Sequence, residues 1–191
     1  MREAFAAGQH NFGENYVQEA LAKIAELADV RDQLRWHLIG PLQSNKAREV
    51  AANFDWVHAV DRMKLAQRLS DLRPPGMAPL QVCLQVNISG EDSKSGVAPE
   101  AALALAREVA ALPRLKLRGL MAIPGPAGDL AAQRVPHRAL RKLFEAMNAE
   151  GLGLDTLSMG MSADLEAAIA EGATWVRVGT AIFGSRPGKT A

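Results

Sequence analysis

The sequence predicts an eight-stranded parallel (β/α)8 barrel of the TIM type, and three observations carry that expectation. Seven apolar or β-branched segments, near Phe12, Leu38, Val57, Val86, Leu120, Met159 and Val176, alternate strictly with helix-periodic segments, which is the pattern of a parallel sheet. Polar strand ends are spread along the whole chain, with no glycine-rich fingerprint after the first strand, and this disfavours an open doubly wound sheet. Two small-residue turns follow the last two strands, where barrels of this class seat a phosphate on free backbone N–H groups. A closed barrel of this type uses eight strands, so the first is expected to be missing, its place lying before Met1.

Each element has a local reason. Met1 to Ala7 reads as the end of a helix closed by Gly8. HNFGEN is a short strand with a polar end, and Val17, Leu21, Ile24 and Leu27 form the buried stripe of the helix that follows. RWHLIG, from Arg35 to Gly40, is the next strand, and Ser44 begins a helix through Ala47, Val50 and Ala51. DWVHAV from Asp55 comes third, with Asp61 as N-cap to a helix carrying Leu65, Leu69 and Leu72 that Pro74 and Pro75 stop. LQVCLQVNIS, from Leu80 to Ser89, has the length and β-branched content of a strand buried on both faces. The polar, glycine-bounded GEDSKSG after it is expected to be an exposed loop. Pro99 starts an alanine-rich helix to Leu112, LKLRGLMAI is the fifth strand, and a helix surrounds Leu140, Leu143, Phe144 and Met147.

The stretch from Asp155 to Gly184 carries the chemistry. Leu157, Met159 and Met161 alternate with Ser158 and Gly160; Ser162 is the expected N-cap of a helix through Leu165, Ala168 and Ile169, with Gly172 as its stop. In the final strand, TWVRVG, the period of two puts Trp175, Arg177 and Gly179 on one face and Val176 and Val178 on the other. If the valines face packing helices, Arg177 points into the barrel, where it needs a ligand's acceptor or an interior acid such as Glu14. The turns at Ser162 and at Gly179 and Thr180 suggest a phosphorylated ligand, although glycine turns also occur for purely structural reasons.

Composition narrows the classes. The chain has 191 residues, 48% of them hydrophobic, and a formal net charge of +1, which implies neither a nucleic-acid nor a membrane partner. The single cysteine, Cys83, cannot form an internal disulfide and fits a reducing cytoplasm. No apolar run is long enough to span a bilayer, and the four histidines read as scattered, so no metal site is expected.

The segments FGENYVQE, WHLIGPLQSNK, VNISGEDSKSG, RGLMAIP, SMGMSADLEAAI and VRVGTAIFG occur in this order over essentially the whole chain. Together they resemble the pyridoxal phosphate homeostasis protein family. The resemblance implies a single barrel domain over residues 1–191, N-terminally incomplete, of the alanine racemase N-terminal-domain type (fold type III). It implies that the domain binds pyridoxal 5′-phosphate (PLP) as a carrier or regulator of its supply, with no catalytic turnover. Carried over by position, it puts the phosphate contacts on Ser162, Gly179 and Thr180 and the pyridine nitrogen opposite Arg177. Asn15 and His37 are expected at the pocket mouth, with Met121 and Met161 lining it.

The family's cofactor lysine lies on the first barrel strand, and none of Lys23, Lys46, Lys64, Lys94, Lys116, Lys142 and Lys189 matches it, so non-covalent binding or none is expected. Apo-enzymes that use PLP are the implied recipients, and a monomer is favoured. Two alternatives stand beside this reading. One is a PLP-dependent amino-acid racemase, for which the chain offers only Tyr16 as a second base. The other is a barrel enzyme acting on a different phosphorylated small molecule, with His37, His58, Glu14, Asp164 or Glu166 as base.

Overall fold

A computed structural model of the chain describes residues 1–90 and 95–184. The polar loop at Glu91–Lys94, and Lys189, lie outside these described residues. Seven strands form one sheet: β1 (Asn11–Glu14), β2 (Arg35–Leu38), β3 (Trp56–Val60), β4 (Leu80–Gln85), β5 (Leu115–Met121), β6 (Thr156–Met161) and β7 (Trp175–Arg177). Each pairs in parallel with the next, in sequence order. The helices are α1 (Arg2–Ala6), α2 (Val17–Glu26), α3 (Ala47–Asn53), α4 (Met63–Leu72), α5 (Pro99–Ala110), α6 (Leu130–Ala149), α7 (Leu165–Ala170) and α8 (Thr180–Phe183). None is long and apolar enough to cross a membrane among the described residues.

The sheet curls until the ring of Trp175 on β7 lies 5.0 Å from that of His37 on β2, so the barrel is nearly closed. Among the described residues β1 and β7 have one sheet neighbour each. Strand alternation sorts the core into two layers. Outward residues such as Trp36, Leu38, Val57, Val82, Leu120 and Leu157 pack against the helices in the larger cluster. Inward residues Trp56, Ala59, Cys83 and Met121 form a smaller cluster inside the barrel.

Three helix starts differ from the sequence expectation. Asp61 is not the cap of α4: Arg62 occupies that position without a side-chain bond, and the Asp61 carboxylate pairs with Arg62 instead. Asp61 sits one residue too early to reach the first free N–H groups of the helix. Ser162 does not cap α7 either; residues 162–164 form a turn and Asp164 takes the cap position. Helix α6 begins at Leu130, well before Leu140, because the Asp129 side chain accepts from the Ala132 N–H at 2.8 Å. Pro136 lies inside that helix and leaves one turn without its backbone bond.

Two contacts fix α7 against the sheet and against α6. Gly160 has φ +91°, and a Cβ there would meet Ala168 Cβ at 2.4 Å, so only glycine lets α7 approach β6 this closely. At the other end of α7, Glu171 is 2% exposed and accepts from Arg134 Nε at 2.7 Å, Arg138 Nη2 at 2.9 Å and Arg141 Nη2 at 3.2 Å, all from α6. The Arg138 and Arg134 guanidiniums hold the Glu171 carboxyl down to about 2, with Arg138 the stronger influence and desolvation opposing both.

Gly160→Ala is expected to lower stability by about 2–3 kcal/mol, from positive-φ strain and the Ala168 clash together, read as a drop in the thermal unfolding midpoint. Glu171 is stabilising in its ionised form, so its contribution is complete above its ordinary value of 4.5 and is lost as pH falls toward about 2. Chemical denaturation of Glu171→Gln should therefore show a deficit that is constant above about pH 5 and shrinks toward pH 2.

Candidate functional site

Alternation on β7 turns Trp175 and Arg177 into the barrel and Val176 outward. The outward Val176 stays 37% exposed rather than packing under a helix, which corrects the sequence expectation for that face. The Arg177 guanidinium donates through Nη1 to the Ser158 carbonyl at 3.0 Å and to Ser158 Oγ at 2.9 Å, and through Nη2 to the Ala122 carbonyl at 2.9 Å. These bonds use three of its five N–H donors and leave two for a bound acceptor. Burial pushes its pKa down to about 10, so it remains a cation at neutral pH.

Glu14, the alternative interior partner, is not inside. Phe12 and Glu14 share the outer face of β1, and Glu14 accepts from Lys23 Nζ of α2 at 2.6 Å. Arg177 therefore has carbonyls and a hydroxyl around it, with no carboxylate bonded to it among the described residues.

Ser158 begins a polar chain across the barrel. Its Oγ lies 2.8 Å from His58 Nδ1, His58 Nε2 lies 3.0 Å from His37 Nδ1, and His37 Nε2 lies 3.2 Å from Asn11 Oδ1. A guanidinium can only donate and an amide oxygen can only accept, so the two ends assign the protons between them. Arg177 donates to Ser158, the Ser158 hydroxyl to His58, the His58 Nε2–H to His37, and the His37 Nε2–H to Asn11. Both imidazoles are neutral in this arrangement. Burial agrees: it lowers His37 to about 4 and His58 well below its ordinary range, with the neighbouring His37 and Arg177 lowering His58 further. Trp56 stacks on His37 with ring centroids 5.3 Å apart, and Trp175 contacts both.

The structure divides the expected site residues into two groups. Met161 pairs with Arg177 in the β6–β7 register, so the Ser162 turn and the start of α8 at Gly179 and Thr180 leave adjacent strand ends on the same end of the barrel. Ser162, Gly179 and Thr180 are exposed there, as is Asn15 beyond β1, and Met161 is 40% exposed. His37 and Met121 belong elsewhere. His37 is the third residue of β2, 4% exposed and deep in the barrel, not at its mouth. Met121 is fully buried in the inner cluster instead of lining an open pocket. His58 is likewise mid-strand and 2% exposed, which removes it from reach of a substrate. Two surface cavities, of about 430 and about 480 Å³, are lined by other residues, among them Ile88, Ser89 and Pro99 in one and Met1, Lys23 and Leu27 in the other.

Sequence reasoning missed several supports. His37 and His58 read as scattered histidines, yet each occupies an inward position on one of two neighbouring strands, and tracing strand parity would have paired them. Asp164, offered by the sequence as a possible base, sits at the N-cap position of α7 and holds the Ser162 turn. Its Oδ1 accepts from the Met161 N–H at 2.7 Å, and its Oδ2 lies 2.9 Å from His137 Nε2 on α6. No group of three or more His, Cys, Asp and Glu residues is placed to hold a metal among the described residues.

The neutral histidine pair gives an acid-sensitive interior. A folded pKa below the unfolded one means that the unfolded chain binds the extra proton first, so stability is complete above about pH 6.5 and falls as pH drops toward 4. His37 alone accounts for a loss of about 3 kcal/mol across that window. Denaturant titrations at stepped pH should show this limb above the one set by Glu171.

The sequence profile of the family "Alanine racemase, N-terminal domain" matches residues 1–187. A "Pyridoxal phosphate homeostasis protein" of Pseudomonas aeruginosa is 64% identical over 186 residues, spanning 97% of this chain and 79% of that protein. The structure of PipY from Synechococcus elongatus without PLP superposes with a TM-score of 0.89 at 45% identity, covering 96% of this chain and 86% of that one. PipY "with PLP bound" superposes with a TM-score of 0.86 at 42% identity, covering 96% and 85%. The polar barrel interior, the paired turns at one barrel end and these likenesses agree: the chain belongs to the alanine racemase N-terminal domain family, among the pyridoxal phosphate homeostasis proteins.

Proposed function

We propose that the chain binds pyridoxal 5′-phosphate reversibly and serves PLP homeostasis as a carrier or regulator, without turnover. The observation that carries the reading is Arg177, an inward guanidinium at the end of β7 with donors to spare beside two exposed small-residue turns. The PLP-bound neighbour PipY supports it. Ser162, Gly179 and Thr180 would hold the phosphate and Arg177 the ring nitrogen, with Asn15 and Met161 at the rim. His37 and Met121 lie behind this shell and act through packing and hydrogen bonds rather than contact.

A ring nitrogen facing a guanidinium stays unprotonated, and the bound ring is then a weaker electron sink than it is beside an acid. Weak activation suits a protein that stores or delivers the cofactor. The relatives are named as homeostasis proteins rather than enzymes. The chain's one tyrosine, Tyr16, is 55% exposed at the start of α2, outside the barrel interior where a racemase's second base would be needed. Lys23 and Lys46 are tied to Glu14 and Glu49 outside the barrel interior. A cytoplasmic site of action suits the lone buried thiol of Cys83, and apo-enzymes that take up PLP are the fitting recipients.

Titration with PLP, followed by absorbance and tryptophan fluorescence, should show saturable binding. Arg177→Ala should weaken it tenfold to a hundredfold, the worth of a charge-assisted hydrogen bond of about 1.5–3 kcal/mol. Borohydride reduction and mass measurement should find no stoichiometric adduct. Thermal stabilisation by sugar phosphates but not by PLP would transfer the assignment to a different phosphate-binding barrel protein.

A further inference from the structure

We propose that Ser158 and His58 are positioning residues for Arg177, and that this buried relay sets how strongly the site distinguishes a ring nitrogen from a ring C–H. The inference rests on the PLP reading above. Of the three acceptors around the guanidinium, two are main-chain carbonyls and one is a side chain, Ser158 Oγ. Carbonyls fix where Nη1 and Nη2 lie, but the hydroxyl can rotate, and its bond to Arg177 holds only while its own proton has a destination. That destination is His58 Nδ1 at 2.8 Å.

His58 has one proton to give in its neutral form and gives it to His37, which gives its own to Asn11. Every interior donor between Arg177 and Asn11 is thus used once and in one direction. Ser158 is fully buried and His58 is 2% exposed, so water cannot stand in for a lost partner. With the Ser158 lone pair held against Nη1, the plane of the guanidinium is fixed, and the two unused donors keep one orientation. Without the relay the hydroxyl turns and the guanidinium is free to tilt about its two carbonyl contacts.

The test compares affinities of the intact chain for PLP and for the deaza analogue that carries C–H in place of the ring nitrogen. The analogue keeps every phosphate contact, so it serves as the internal control. The wild-type chain should prefer PLP by about tenfold or more. Ser158→Ala and His58→Phe should each reduce that preference to about threefold or less, with analogue affinity within about threefold of wild type, and Ser158→Thr should restore it. A purely structural role would weaken both ligands alike and leave the ratio unchanged, and an unchanged ratio in the folded variants overturns the proposal. If Ser158→Ala does not fold, the ratio in His58→Phe decides by the same criterion. Failure of the wild-type chain to bind PLP at all would instead remove the cofactor reading, and the proposal with it.

Discussion

A cation inside a barrel must be surrounded by acceptors, and much of this interior follows from meeting that demand for Arg177. The Ser158 carbonyl, within β6, also accepts from the Ala122 N–H at 3.2 Å, and the Ala122 carbonyl lies just past the end of β5, so the guanidinium bridges two neighbouring strands. Its third acceptor starts the polar chain that runs from β6 through β3 and β2 to β1. The two edges of the sheet, which share no ladder, are thereby joined through side chains across the interior. Trp175 adds apolar contact to the same join by meeting His37 and Trp56.

The opposite end of the barrel is closed by a second arginine. Arg118 forks onto the Asp155 carboxylate, reaches Gln81 Oε1 at 2.8 Å and lies 4.9 Å above the ring of Trp56. The barrel is thus polar at both ends and aromatic between them. Cys83, deep in the apolar part, has its thiol pushed up by burial and is unreactive by the same logic.

Rigidity at the Ser162 turn comes from outside the barrel. Gly160 lets α7 lie against β6, Glu171 locks α7 to three arginines of α6, and the His137–Asp164 pair ties the Ser162 turn to α6. Helix α6, outside the barrel, thus holds the Ser162 turn in place.

The sequence alone determined the strand and helix order, because hydrophobic period and proline or glycine stops are local properties of the chain. It also placed Arg177 inward, since a period of two leaves a residue on β7 only two choices of face. What it could not supply were contacts between residues far apart in sequence. Glu14 read as an interior acid until the parity of β1 turned it outward to Lys23, and His37 read as a mouth residue because its depth depends on how β2 registers with β1 and β3. The alliance of Arg177, Ser158, His58, His37 and Asn11 brings together five strands whose spacing is set only when the sheet curls. Only the tertiary structure decided which of the chain's polar residues meet inside the barrel, because curvature and register are properties of the whole sheet.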